Sequence, residues 1–274
     1  MGLRFKIQNT AIISLNWGMF YQSKKWKISL KGIITLLACF IFFSTQAQSD
    51  REFWFAAPEV TSGHGDRPIF FRFTSASKPA EITISQPANP NFPTIVLNVA
   101  SFSSITQNVT TLIDIIENKP GSTKLNYGFL ITSTSSITAY YEVGVTNNPE
   151  IFPLKGFVGK GTNFLIPGQM TFNNKDKLNP IAHSGFVIVA TEDNTNVQIN
   201  LTNPDEKGNN SISINLDKGQ TYAVNAMSEL VSTHLGGSTI TSDKPICITI
   251  YDDSVSVGVS HDLVGDQIVP INNT

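Results

Sequence analysis

After the first 47 residues, apolar and polar positions alternate in short runs. Ile69-Phe70-Phe71-Arg72-Phe73, Glu81-Ile82-Thr83-Ile84, Thr94-Ile95-Val96-Leu97-Asn98-Val99 and Asn196-Val197-Gln198-Ile199-Asn200-Leu201 are the clearest. A period near two puts successive side chains on opposite faces, so each run reads as a strand with one buried side. Clusters of Gly, Pro and Asn divide the runs, and Pro87 to Pro93 and Asn203 to Asn210 read as loops. Only Thr111 to Lys119 and Ala226 to Leu235 are candidates for short helices, and neither holds a helical period. The pattern predicts an all-β chain.

The pattern also repeats. Gly128-Phe129-Leu130-Ile131-Thr132-Ser133 is followed by Ser136-Ile137-Thr138-Ala139-Tyr140-Tyr141. The same arrangement returns 109 positions later, as Gly237-Ser238-Thr239-Ile240-Thr241-Ser242 and then Pro245-Ile246-Cys247-Ile248-Thr249-Ile250. Each reads as two strands joined at a Thr-Ser turn. Upstream, Phe71-Arg72-Phe73-Thr74 parallels Ile188-Val189-Ala190-Thr191. Apolar segments ending at Pro58, Pro167 and Pro270 mark the starts of units. The expectation is two tandem β-sandwich-like modules of about 100 residues, a common size for such domains. Their bounds are 48–160 and 161–265, with 266–274 the start of a further, truncated unit. On this reading the chain is a fragment of a longer protein.

The first 47 residues change the picture. They hold six basic residues and no Asp or Glu, and an apolar run from Ile33 to Phe43 ends in Ser44-Thr45-Gln46-Ala47. Basic, then apolar, then small is the layout of a cleaved export signal, and the run is short of the roughly 20 residues a membrane span needs. Cleavage is expected after Ala47, with Met19 an alternative start. Leu36-Leu37-Ala38-Cys39 offers a competing lipidation site at Cys39, but Phe40 to Phe43 carry the apolar run past it. Removal of the signal leaves 13 basic against 21 acidic residues, a net charge of −8. An acidic surface without a basic run excludes nucleic acid and anionic membrane as natural partners. Membrane contact is then expected only through a lipid on Cys39 or an anchor elsewhere. One cysteine remains, Cys247, in an apolar strand pattern. It excludes an internal disulfide or a cysteine metal site, and it reads as core.

The motifs of chemistry are mostly missing: there is no HExxH, CxxC, EF-hand loop or GxSxG. Gly156 to Thr162 lacks the register of a phosphate loop. His64, His183, His234 and His261 lie in loop-like sequence, without the spacing of metal ligands on one element. One constellation stands out. Asp252, Asp253, His261, Asp262 and Asp266 fall within fifteen residues that read as loop. Such carboxylates are candidate calcium ligands, since calcium takes about six to eight oxygens, or candidate partners for sugar hydroxyls. The competing reading is a solvated acidic loop with a capped turn. Ser260-His261-Asp262 is a poor catalytic arrangement, because neighbours on a strand point apart. Ser62-Gly63-His64-Gly65-Asp66-Arg67 reads as a tight turn in which Asp66 and Arg67 pair. In Tyr140-Tyr141-Glu142, alternation puts one tyrosine in the core and one outside. No catalytic residue and no cofactor is assigned.

Thr241-Ser242-Asp243-Lys244-Pro245-Ile246, Phe164-Leu165-Ile166-Pro167, Val189-Ala190-Thr191-Glu192-Asp193-Asn194-Thr195 and His261-Asp262-Leu263-Val264-Gly265-Asp266-Gln267-Ile268-Val269-Pro270 together resemble the N-terminal domain family of IgGFc-binding proteins. The resemblance rests on the order of these segments and covers most of Glu52 to Thr274. It implies a domain of large exported bacterial surface proteins, often carrying gliding-motility-associated or secretion-sorting domains at the C-terminus, as in Bacteroidota. The implied role is non-catalytic adhesion or scaffolding at the cell surface, with an extracellular protein or glycan as partner. The alternative is a carbohydrate-binding module of a secreted enzyme whose catalytic domain lies outside this chain.

Overall fold

The alternating runs become strands because each can bury one face while its backbone pairs with a neighbouring strand. The computed structural model describes residues 49–146 and 149–271. The expected export signal, Cys39 and the last three residues of the expected third unit lie outside the described residues. The strands are β1 (Asp50–Phe55), β2 (Ile69–Ser75), β3 (Ala80–Ser85), β4 (Ile95–Val99), β5 (Ser103–Asn108), β6 (Lys124–Leu125), β7 (Phe129–Val143) and β8 (Glu150–Pro153). They continue as β9 (Gly161–Leu165), β10 (Ser184–Ala190), β11 (Thr195–Asn200), β12 (Ser211–Leu216), β13 (Thr221–Asn225), β14 (Thr239–Val257) and β15 (Ser260–Ile268). The two candidate helices shrink to 3-10 turns at Thr110–Ile115 and Val231–Thr233. The all-β expectation of two sandwich-like modules holds.

Two sheets form. The first runs β4-β3-β7-β2-β5, with β1 and β8 also on β7. The second runs β12-β11-β14-β10-β13-β6, with β9 and β15 also on β14. The segments on either side of each Thr-Ser stretch are not two strands joined by a turn. They are one long strand, β7 or β14, that changes partners midway. β7 pairs with β3 and most of β1 up to Ser133, then from Ile137 onward with β2 and β8, and with Asp50 of β1 after a register shift. β14 pairs with β11 up to Ser242 and with β10 from Ile246. The polar residues at the changeover are not a chain reversal. They sit where one strand leaves one layer and enters the other.

This partner change folds each sheet over its own core. In the first module Phe55 of β1 faces Phe71 of β2, Phe129 and Tyr141 of β7 and Phe152 of β8, with ring centroids 5.0–6.4 Å apart. Aromatic pairs at such separations add about 0.5–1.5 kcal/mol each beyond area burial. In the second module Phe164, Phe186, Ile188, Val197, Ile199 and Ile240 make the corresponding cluster.

The strand registers correspond. Phe53 faces Ile131 as Phe164 faces Ile240, and Ile84 faces Ile131 as Ile199 faces Ile240. Phe73 faces Ala139 as Ile188 faces Ile248, so Phe71 corresponds to Phe186. The sequence alignment of Phe71 with Ile188 was therefore two residues out of register. A slip of two keeps every side chain on its face, which is why alternation alone did not reveal it. Gln267 and Ile268 belong to β15, which lies on β14 as β8 lies on β7.

The modules are not beads on a string; the described residues fall in one compact unit. β6 comes from the first half of the sequence but pairs with β13. Val187, Val189, Ala223, Cys247, Tyr251 and Leu263, on the outer face of β10, β13, β14 and β15, join the core cluster of the first module. A glycine permits the close approach: a Cβ on Gly265 would overlap the Phe152 ring.

Candidate functional site

The polar residues singled out by the sequence gather near this junction, but not as a loop. Asp252 and Asp253 lie on β14, and His261, Asp262 and Asp266 on β15, joined through a hairpin at Gly258-Val259. The ladder is irregular between Asp252 and Val255. That bulge and the polar composition made a strand look like a loop in the sequence.

The five residues do not converge. Asp253 is buried, accepts the Thr61 amide at 2.7 Å and the Ser254 hydroxyl at 3.0 Å, and lies 3.6 Å from His64 Nδ1. Asp252 accepts Gln169 Nε2 at 2.9 Å and Asn174 Nδ2 at 2.6 Å, with His234 Nδ1 at 3.7 Å. Asp262 caps the Leu263 amide at 2.9 Å, and Asp266 pairs with Lys155 at 2.9 Å. His261 packs edge-on to the His64 ring at 5.3 Å. Among the described residues, no three His, Cys, Asp or Glu side chains are placed to hold a metal ion.

Burial sets the electrostatics. Desolvation pushes Asp253 up to about 7, against the pull of its Thr61 and Ser254 hydrogen bonds. Asp252 is raised for the same reason, opposed by Gln169, His234 and Asn174. Burial, and then His261 nearby, depresses His64, which favours its neutral form; Asp262 pulls the other way. Glu117, in the segment after β5, is pushed up to about 7 by burial, although Lys119 sits 2.8 Å away.

His64, Ser254 and Asp253 contain the residue types of a catalytic triad in the wrong order. His64 Nδ1 is 2.8 Å from Ser254 Oγ, which in turn donates to Asp253. In a triad the histidine stands between serine and acid, so that it can take the hydroxyl proton and be oriented by the carboxylate. Here the serine stands between, and it is fully buried. An adjoining cavity lined by Glu59, Thr61, His183, Asn225, Tyr251 and Asp253 has a volume of about 10 Å³, room for one water. This junction ties the modules together. The sequence could not signal it, because Thr61, His64, Asn174 and Asp253 come from separate segments.

Other readings of single residues fall into place. Asp66 and Arg67 form a two-pronged pair at 2.8 and 3.0 Å. Tyr141 is buried and Tyr140 half-buried. Cys247 is core, with burial pushing its thiol up to about 12. No helix among the described residues is long and apolar enough to cross a membrane.

The second module presents an open polar surface. The outer face of β11, β12 and the start of β14 presents Asn196, Gln198, Ser213, Asn215, Thr241 and Asp243 around a concavity of about 490 Å³. Asn196 Nδ2 donates to Asp243 at 2.7 Å, and Asn215 Nδ2 donates to Asn196 at 2.9 Å, so the amides are held in place.

Comparison with known proteins gives three results. No curated protein matches the chain. A solved structure, Bacteroides uniformis beta-glucuronidase 2 covalently bound to cyclophellitol-6-carboxylate aziridine, aligns with 80% of this chain and 26% of that one. Its identity is 11% and its TM-score 0.19, a likeness that carries no argument. The segment holding β9 to β15, residues 154–274, matches the family model described as IgGFc binding protein, and over that segment the resemblance read from the sequence stands.

Proposed function

We propose that this chain is a non-catalytic binding module of an exported cell-surface protein, engaging an extracellular protein through the polar face of β11, β12 and β14. The match of residues 154–274 to a binding-protein family carries this reading. The acidic surface, the export-like N-terminal segment and the triad residues in the wrong order support it. The proposal includes two copies of one β-unit, divided near residue 160, and a role in adhesion or scaffolding. It does not extend to immunoglobulin as the ligand, since the match names no contact residue.

The test is binding of the purified chain to panels of immobilised extracellular proteins, immunoglobulin Fc among them, beside a glycan array. Saturable protein binding that Asn196→Ala/Asn215→Ala weakens at least about tenfold, or about 1.4 kcal/mol, supports the reading. Glycan binding alone moves the chain to the carbohydrate-binding alternative. Turnover of a glycoside or peptide by the chain itself, lost in a point variant, overturns the non-catalytic assignment.

A further inference from the structure

The junction between the modules has an unfilled counterpart. In the first module, β1 and β8 flank an open side of the sandwich. β14 and β15 of the second module close it: Gln267 Nε2 donates to the Trp54 carbonyl at 2.6 Å, and Gln267 Oε1 accepts the Lys155 amide at 2.6 Å. Gly265 lies against Phe152, and its amide donates to Glu150 at 3.2 Å. The covering face is apolar, carrying Val187, Val189, Ala223, Cys247 and Tyr251.

In the second module, β9 and β15 occupy the places of β1 and β8. The side they flank is open. Val158, Leu165, Pro167, Ile268 and Val269 line a groove of about 430 Å³ there, and Leu165 and Val269 are each about half exposed. The apolar surface lies beside the Lys155–Asp266 ion pair, at the place that another sheet covers in the first module.

The same registers say what does not seat there. The first-module positions corresponding to Val187, Val189, Ala223, Cys247 and Tyr251 are Arg72, Thr74, Thr106, Thr138 and Glu142. All five are polar, and four bond on their own face. Arg72 pairs with Glu142 and donates to Thr106 at 3.0 Å, and Thr74 bonds Ser104 at 2.8 Å. A second copy of this chain therefore has one outer sheet face that is polar and another already covered. Burying the Arg72–Glu142 pair in an apolar groove would strip it of water without replacement partners.

We infer that the groove between β9 and β15 is a docking site for the outer sheet face of a further sandwich module of the same build, apolar at those five positions. The arrangement is that of a stacked-repeat protein, in which each unit buries its open side on the next.

The probe is this chain with its own first-module face converted to the second-module pattern: Arg72→Val, Thr74→Val, Thr106→Ala, Thr138→Val and Glu142→Tyr. Such a variant carries both halves of a head-to-tail contact that does not close on itself. Sedimentation should show wild type monomeric and the variant's mass rising at least about twofold with concentration, as for a Kd of about 1–100 µM. Adding Leu165→Glu and Val269→Glu should restore the monomer. Arg72→Val/Glu142→Tyr alone, which leaves no orphaned charge, serves as the second variant should the five-fold change not fold. A folded variant that stays monomeric, assembly indifferent to the groove charges, or wild type that itself associates through Leu165 would each overturn the inference.

Discussion

Asp253→Asn probes the junction most directly. Asp253 is buried, and its carboxyl ionises at about 7 in the folded chain, against about 3.9 when unfolded. Between those values the folded chain binds the extra proton, so unfolding releases it and stability falls as pH rises. The contribution is fully present below about 4 and gone above about 7, a span of about 4 kcal/mol at 1.4 kcal/mol per pH unit. Between pH 8 and pH 5 the gain is about 3 kcal/mol. For a chain of this size that is about 5–10 °C in Tm. Glu117, also raised to about 7 by burial, works in the same direction. The informative quantity is therefore the difference between wild type and variant. Asparagine can still accept the Thr61 amide, and its NH2 can donate to Ser254 Oγ, whose hydroxyl then turns toward His64 Nδ1. Urea unfolding at pH 5, 6, 7 and 8 should show wild type gaining about 3 kcal/mol more than Asp253→Asn on acidification. Burial-depressed His64 works the other way, losing stability on acidification, so only the difference counts: parallel pH profiles for the two proteins would refute the reasoning.

Three further outcomes follow. Phe55→Ala, at the centre of the first aromatic cluster, should lower the unfolding free energy by about 3–5 kcal/mol, read from the denaturant midpoint at unchanged slope. Cys247, buried and with its thiol pushed up to about 12, should resist a thiol-specific dye in the native chain and react at once when unfolded. Melting temperatures with calcium and with chelator should agree, because Asp252, Asp253 and Asp266 already have partners within the chain. A rise of several degrees with calcium would point to a site built from the acidic residues.

Much of the fold was legible in local pattern. Ile69 to Phe73, Glu81 to Ile84 and Asn196 to Leu201 alternate because one face of each strand meets a core, and all three are strands. The 109-residue repeat was visible for the same reason, since Ile131 and Ile240 occupy equivalent buried places. The candidate site was far less legible. Asp252 and Asp253 looked like loop residues because local pattern weighs polarity against neighbours in sequence. Their partners are Asn174, Gln169, His64 and Thr61, brought from other segments.

By itself, then, the sequence determined an all-β chain and which face of most strands is buried, because these depend on which side chains recur at a fixed spacing. Only the tertiary structure decided that β7 and β14 each serve two layers, that Val187, Val189 and Cys247 leave water against another module, and that Leu165 and Val269 do not. A strand has two faces, and alternation says that one is buried. Whether the other is buried too depends on what packs across it, and that is a property of the folded chain.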